Sequence, residues 1–493
     1  MKQSRRNFLR DTACGLTAAA MVSSLDQLSL VNAMVPQPAV ASDYRALVCI
    51  FLFGGSDANN MLIPYDDYTV TGGGNTTGYD NVRTGSQLAV PKAQLLQISP
   101  LNTSGVSFGL HPNLSPEANN VGQMKGLLDV WNAGSLAMLC NYGSLVQPIT
   151  RAQYQANVGR PYQLFSHSDQ QTQQQTVVAN GVGQTGWGGR VSDITGGLNG
   201  SVPLPMNVSI AGSALFATGR NTRQLVIGDS NTPLANVLNL SWSGDAGSNP
   251  NNNNSSYRAL LGLDNGSFLV KASSDTTSQA LLTKAALASA NPTLTTTFPN
   301  TSIGRQLQQA ARLIKVKDTL GMHRQIFFCA LGGFDTHTNE TGANPLNPNG
   351  GGANSGGQGG LLTQLSQAMR AFYDEMVAQG ISDKVTTFTQ SDFGRTLQPS
   401  GTGAGTVGSD HAWGNHALIM GGAVNGRAFY GTYPVLTLGG PDDTDNRGRW
   451  IPTTSTDQFA ATLAAWYGLA PADVPTVFPN LSKFAPQNLG FLS

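Results

Sequence analysis

Charged side chains are scarce in this sequence. Asp, Glu, Lys and Arg make up 11% of its 493 residues, against about a quarter in an average soluble protein. The 28 basic and 28 acidic residues cancel, and Lys and Arg do not cluster, which excludes a nucleic-acid-binding surface. Cysteine is rare as well. Of the four, Cys14 lies in the N-terminal segment, while Cys49, Cys140 and Cys329 each sit in an apolar, strand-like run and are expected to be small buried apolar residues. Three leave room for one disulfide at most. The lack of CxxC excludes a cysteine-held metal or iron–sulfur cluster. No strand-linked GxGxxG or P-loop is present, and haem and flavin signatures are missing too. No run reaches ~18 uninterrupted apolar residues, so no stable membrane anchor is expected. A disordered chain is excluded by the 40% hydrophobic content and the long apolar runs. Oligomeric state leaves no signature.

What is present begins at the N-terminus. Arg5-Arg6-Asn7-Phe8-Leu9-Arg10 has the paired arginines, apolar pair and following base that the twin-arginine (Tat) translocase reads. Gly15 to Leu25 is apolar but too short and mild to span ~30 Å of hydrocarbon. Small-x-small sites follow at Val31-Asn32-Ala33 and Ala39-Val40-Ala41. Residues 1–41 are therefore expected to be a signal peptide cleaved after Ala41, with Tat translocase as its partner and the periplasm or the exterior as destination.

Residues 42–493 are expected to form one large α/β domain. Ala46 to Phe53, Leu136 to Asn141, Ile326 to Leu331 and Val385 to Gln390 are short apolar runs of the kind that form buried strands of a parallel sheet. Helical patterns lie between and after them. Leu361 to Met376 puts Leu361, Leu362, Leu365, Met369, Phe372 and Met376 on one face. Thr454 to Tyr467 starts with capping residues and carries Phe459, Leu463 and Trp466 along one side. The alternation predicts a doubly wound, mainly parallel sheet with helices on both faces. Asp229 to Ser256, Asn-rich, and Asn344 to Gly360, Gly-rich, are polar loop insertions.

In such a sheet, ligands bind beyond the carboxyl ends of the strands. The segments there are Gly54-Gly55-Ser56-Asp57, Gly332-Gly333-Phe334-Asp335-Thr336-His337 and Ser391-Asp392-Phe393-Gly394-Arg395. Each carries an aspartate just past a strand. Downstream lies Asp410-His411-Ala412-Trp413-Gly414-Asn415-His416. His167, His337, His411 and His416 are four of the six histidines. Carboxylates with imidazoles suit a divalent metal such as Zn, Mn or Ca. Each aspartate is equally at home as a helix cap or turn residue; it is their repetition at strand ends that points to a site. His111 and His323 suit packing or turns. Arg395 either binds an anion bidentately or pairs with Asp392. Ser166-His167-Ser168-Asp169 is either a nucleophile loop or a helix cap.

These motifs resemble the family catalogued as domain of unknown function 1501. The matching segments are Gly54 to Asn60, Leu110-His111-Pro112, Phe165 to Gln171, Gly186-Trp187-Gly188-Gly189-Arg190, Gly333 to His337, Ser391 to Thr396, Asp410 to His416, and the ending from Ile451 to Gly468. That family is in turn similar to the alkaline phosphatase and sulfatase superfamily, which implies an alkaline-phosphatase-like fold. Carried over by position, the resemblance implies Asp57 as the early metal-binding Asp, Ser166 as nucleophile and Asp335 with His337. It further implies Asp392 after a strand, and His411 or His416 as the late histidine. The chain departs from that pattern where Asp392 is followed by Phe393 instead of His, and where His337 follows Asp335 more closely than usual. One metal, or a site that binds without hydrolysing, fits better than two full metal sites.

The expectation is thus an exported, metal-dependent hydrolase of phosphate or sulfate esters. Asp57, Asp335, His337, Asp392, His411 and His416 are the candidate metal residues, Ser166 the nucleophile, and Arg395 the holder of the anion. The rival expectation is a non-catalytic exported binding or scaffold protein whose polar site holds a metal or glycan.

Overall fold

In the computed structural model the described residues are 40–118, 122–237, 261, 263, 267–288, 290, 292–341, 357–403 and 405–493. The expected signal peptide, apart from Val40 and Ala41, and most of both expected insertions lie outside them. The four apolar runs are strands at nearly their expected bounds. They are β1 (Arg45–Leu52), β2 (Leu136–Gly143), β5 (Arg324–Leu331) and β6 (Val385–Ser391). Short strands β3 (Asn207–Ser209) and β4 (Leu225–Val226) lie between β2 and β5. A hairpin of β7 (Arg395–Ser400) and β8 (Gly408–His411) follows β6, and then come β9 (Asn415–Met420), β10 (Phe429–Tyr430) and β11 (Thr454–Ser455).

One nine-stranded sheet runs in the order β10-β2-β9-β6-β1-β5-β3-β4, with β11 beside β2. All its pairings are parallel except those of β9, which is antiparallel to both β6 and β2. Strand β1 is central because all eight of its residues but Arg45 are buried, and only a strand covered on both faces tolerates such a run. Its alternate residues feed two cores. Ala46, Val48, Ile50 and Leu52 pack with α3 (Ser302–Lys315) and α4 (Gln358–Ala378) through Leu307, Ile314, Leu365 and Phe372. Leu47, Cys49 and Phe51 pack on the opposite face with α2 (Trp187–Thr195) and α5 (Thr456–Tyr467) through Trp187, Val191 and Phe459. The mainly parallel α/β fold with helices on both faces is therefore as expected. Helix α4 starts within the segment expected to be a loop, at Gln358. Helix α5 opens on a full capping box between Ser455 and Gln458, which satisfies two backbone donors at once. Cys49, Cys140 and Cys329 are buried free thiols. No described helix is long and apolar enough to cross a membrane.

The register positions the site. Leu52 of β1 lies level with Leu331 of β5 and Ser391 of β6. Whatever follows these three strands therefore emerges side by side at one sheet edge.

Candidate metal centre

Asp392 is the first residue past β6, and its carboxylate is wholly buried. It accepts hydrogen bonds from Gly54 N at 3.3 Å, Gln171 Nε2 at 2.8 Å and His167 Nδ1 at 2.7 Å. His167 opens α1 (His167–Thr176). An ionised carboxylate only accepts, so His167 donates from Nδ1 and its Nε2 carries the lone pair. That nitrogen is buried, has no hydrogen-bond partner, and lies 3.5 Å from Asp335 Oδ1.

His411 ends β8, and its Nδ1 donates to the Phe165 carbonyl at 2.8 Å. Its Nε2 also holds a lone pair, 3.5 Å from Asp335 Oδ1. His337 approaches from the loop after β5. Its Nδ1 lies 3.1 Å from Asp410 Oδ1, and its Nε2 3.3 Å from Asp335 Oδ1 and 2.9 Å from His411 Nε2. Three imidazoles thus aim Nε2 at one carboxylate, each with Nδ1 held by an acceptor. Glycine makes the convergence possible: Gly54 has φ +113°, and a Cβ there would stand 2.4 Å from Asp335 N.

Arg395 lies beneath. It is fully buried and donates to the carbonyls of Gly54, Gly55, Phe334 and Ser409 and, at 2.6 Å, to Asp335 Oδ1. Burial pushes the Asp335 carboxyl up, but the Arg395 hydrogen bond and charge, then His167 and His337, outweigh it and hold it below the usual carboxylate range. Burial likewise pushes the His411 ring below the usual histidine range, with Arg395, His167 and His337 adding to the effect against the Phe165 hydrogen bond. Both shifts favour the forms that ligate metals, the neutral His411 ring and the ionised Asp335 carboxylate.

The donor set fits a divalent ion. One ligand atom each from His167, Asp335 and His411 lie within 4.8 Å of one another. Ligand atoms ~2.1 Å from a tetrahedral zinc stand ~3.4 Å apart, and the three Nε2 atoms are 3.3–3.5 Å from Asp335 Oδ1. Holding Nδ1 by a carboxylate or carbonyl is how ligating histidines are oriented.

Of the residues singled out by sequence, Asp335, His337 and His411 come together, with Asp392 behind them holding His167. Asp57 is elsewhere. Its carboxylate caps a helical turn through Asn59 N at 3.1 Å and pairs with Arg83, both side chains fully buried. Burial pushes Asp57 up, and Arg83 more than reverses this. Glu340, buried beside Asp57, is pushed well above its usual range by burial and by that negative charge. His416 lies inside the sheet, accepting from Asn141 N at 3.0 Å and packing on Tyr433, with burial lowering its pKa to about 4. Ser166 is the N-cap residue of α1, and its hydroxyl donates to Asp169 at 2.6 Å. Arg395 stands apart from its expected role: with its donors on four carbonyls and Asp335, it positions the centre and does not face an incoming anion.

Sequence reasoning grouped His167 with the other motif histidines but left it out of the candidate metal residues, in a segment read as nucleophile loop or helix cap. The available signal was that the motif Phe165-Ser166-His167 supplies both the ring on Asp392 and the carbonyl on His411. Arg83, at the end of the short helix Tyr79–Arg83, and Glu340 carried no signal, as isolated charges outside the motifs.

Fold and site together define an α/β protein with a carboxylate–imidazole centre at the carboxyl edge of its central strands. The chain belongs to the family described as Protein of unknown function (DUF1501), whose model matches residues 44–462. None of the curated proteins compared matches it in sequence. Among solved structures it is similar to Ps i-CgsB in complex with k-i-k-neocarrahexaose, at 10% identity and TM-score 0.31, covering 90% of this chain and 77% of that one. It is also similar to the PsFucS1 sulfatase from Pseudoalteromonas sp., at 10% identity and TM-score 0.28, covering 92% and 72%.

Proposed function

We propose that the protein is an exported metal-dependent hydrolase of phosphate or sulfate esters. The observation that carries this reading is the convergence of three lone-pair or exchangeable Nε2 atoms on Asp335, with His167 Nε2 buried and unpartnered. His167, Asp335 and His411 would hold the ion, with His337 beside them. A bound divalent ion supplies Lewis acidity toward an ester oxygen and a lowered pKa for water. The chain's own groups do the rest. Asp392 and the Phe165 carbonyl fix the ring tautomers, and Arg395 keeps Asp335 ionised. Ser166 Oγ would attack phosphorus or sulfur, its proton passing to Asp169 Oδ2, to which it is already hydrogen-bonded, while the P–O or S–O bond to the alcohol breaks and that alcohol leaves with a proton from solvent. Water would then cleave the seryl ester, releasing phosphate or sulfate and returning the proton to Ser166. Export rests on the twin-arginine pattern of residues 1–41.

One observation favours the rival reading of a metal-holding protein without hydrolysis. Among the described residues the Ser166 hydroxyl meets Ser168 and Asp169 and no member of the cluster. Assaying aryl phosphate and aryl sulfate hydrolysis by the metal-loaded wild type, Ser166→Ala and His411→Ala separates the two. Turnover lost in both variants, with metal kept in Ser166→Ala, supports the hydrolase. A metal-loaded wild type that cleaves neither ester supports the binding protein.

A further inference from the structure

A site for phosphate or sulfate esters needs a cation that faces the incoming anion, and Arg395 does not. We propose that Arg447 and Arg449 form the anion-holding rim of this centre, recognising the tetrahedral oxyanion of the substrate; this rests on reading the centre as a metal-dependent ester hydrolase. Both stand on a loop whose backbone is fixed before any ligand arrives. The buried Asp443 carboxylate accepts from four backbone amides: Gly439 and Gly448 at 2.9 Å, Arg449 at 3.0 Å and Asp445 at 3.2 Å. The loop is stapled to β7, the strand that begins with Arg395, by Leu397 N to Gly448 O at 3.1 Å and Gln398 N to Arg447 O at 3.0 Å. Gly448 has φ +71°, and a Cβ there would stand 2.5 Å from the Leu397 side chain.

From this loop each guanidinium reaches a cluster residue. Arg447 Nη2 pairs with Asp410 Oδ2, and the other oxygen of that carboxylate holds His337 Nδ1. Arg449 Nε donates to the His411 carbonyl at 2.9 Å, its Nη1 to Asp445 at 2.7 Å, and its guanidinium lies over the Phe165 ring at 4.9 Å. Both side chains remain partly exposed, 35% and 23%. Among the described residues, Arg447 Nη1 and Arg449 Nη2 meet no acceptor, and Arg447 Nε is buried without one. Planar forks with spare donors on a rigid loop are what bidentate recognition of phosphate or sulfate requires.

The test is calorimetric titration of inorganic phosphate and inorganic sulfate into wild type, Arg447→Gln, Arg447→Lys and Arg449→Gln, with metal content and melting temperature recorded for each. Wild type is expected to bind phosphate, each Gln variant at least about tenfold more weakly, and Arg447→Lys to recover part of the loss. Metal content should be unchanged. Arg447 makes one described side-chain hydrogen bond, to Asp410, so its variants carry the test alone if Arg449→Gln does not fold. The inference is overturned if a Gln variant binds as tightly as wild type, or if wild type binds neither anion. Should wild type prove metal-free, the metal reading fails by that measurement. The same titrations on metal-free protein then decide the rim by the same criteria.

Discussion

Replacing Asp392 by Asn removes one oxygen and adds two donors where only acceptors serve. The native carboxylate is fully buried and takes hydrogen bonds from His167 Nδ1, Gln171 Nε2 and Gly54 N. With three donors converging on it, the amide must turn its NH2 group toward at least one. Facing His167, it forces the ring to accept at Nδ1 and to carry its proton on Nε2, the atom that would ligate. Facing Gln171 or Gly54, it strands a buried donor and loosens the α1 attachment. Loss of a partner of this kind lowers metal affinity about 10- to 100-fold, or about 1.4–2.7 kcal/mol. Competition between the protein and a zinc-binding dye, run on wild type and Asp392→Asn, measures the difference directly. Equal affinities within about twofold, in a variant that retains the native melting transition, would refute the tautomer argument.

Arg83→Met leaves Asp57 as an unpaired buried charge, so denaturant unfolding should show a loss of about 3–5 kcal/mol. The double variant Asp57→Asn/Arg83→Met should recover part of it. A single-variant loss below 1 kcal/mol, on the order of an exposed pair, would contradict the buried network. Asp457→Asn tests a pH dependence. Burial raises the Asp457 carboxyl to about 7, opposed by its own backbone hydrogen bond and by Arg190 and Lys483, and its Oδ1 has no partner. The folded state then binds the proton more tightly than the unfolded state. This contribution to stability is complete below about pH 4 and is lost as pH rises through about 7. Relative to wild type, the Asn variant should therefore gain roughly 2–3 kcal/mol between pH 5 and 8, at ~1.4 kcal/mol per pKa unit. Parallel stability curves for the two proteins would rule this out.

The four main strands were legible because each holds a short run of apolar or β-branched residues closed by Gly or Asp. That pattern needs no partner to be recognised, and it carried Asp335, Asp392 and His411 to the right edge. Helix α1 was opaque for the opposite reason. It buries Gln170, Gln173, Gln174 and Gln175 through specific hydrogen bonds, such as Gln175 Oε1 accepting from Phe216 N at 3.0 Å. No hydrophobic stripe marks such a helix, so His167 could not be seen to face Asp392. Asp57 and Asp335 look alike in sequence, each following glycines after a strand. They part only because Arg83, 26 residues beyond Asp57, folds back onto it, while Arg395 takes Asp335. His411 and His416 share one motif, yet His411 ends the β7–β8 hairpin at the edge and His416 enters β9, where a ring in the sheet interior must stay neutral. Such divergences depend on long-range partners, which local spacing does not encode.

The most direct measurement is the metal content of purified mature protein, by elemental analysis after incubation with Zn, Mn and Ca and removal of free ion, alongside His411→Ala and Asp335→Ala. The account predicts one tightly held equivalent of one of these ions in the wild type and its loss in both variants, with the fold intact. A wild type that emerges free of metal, or variants that retain a full equivalent, would contradict it.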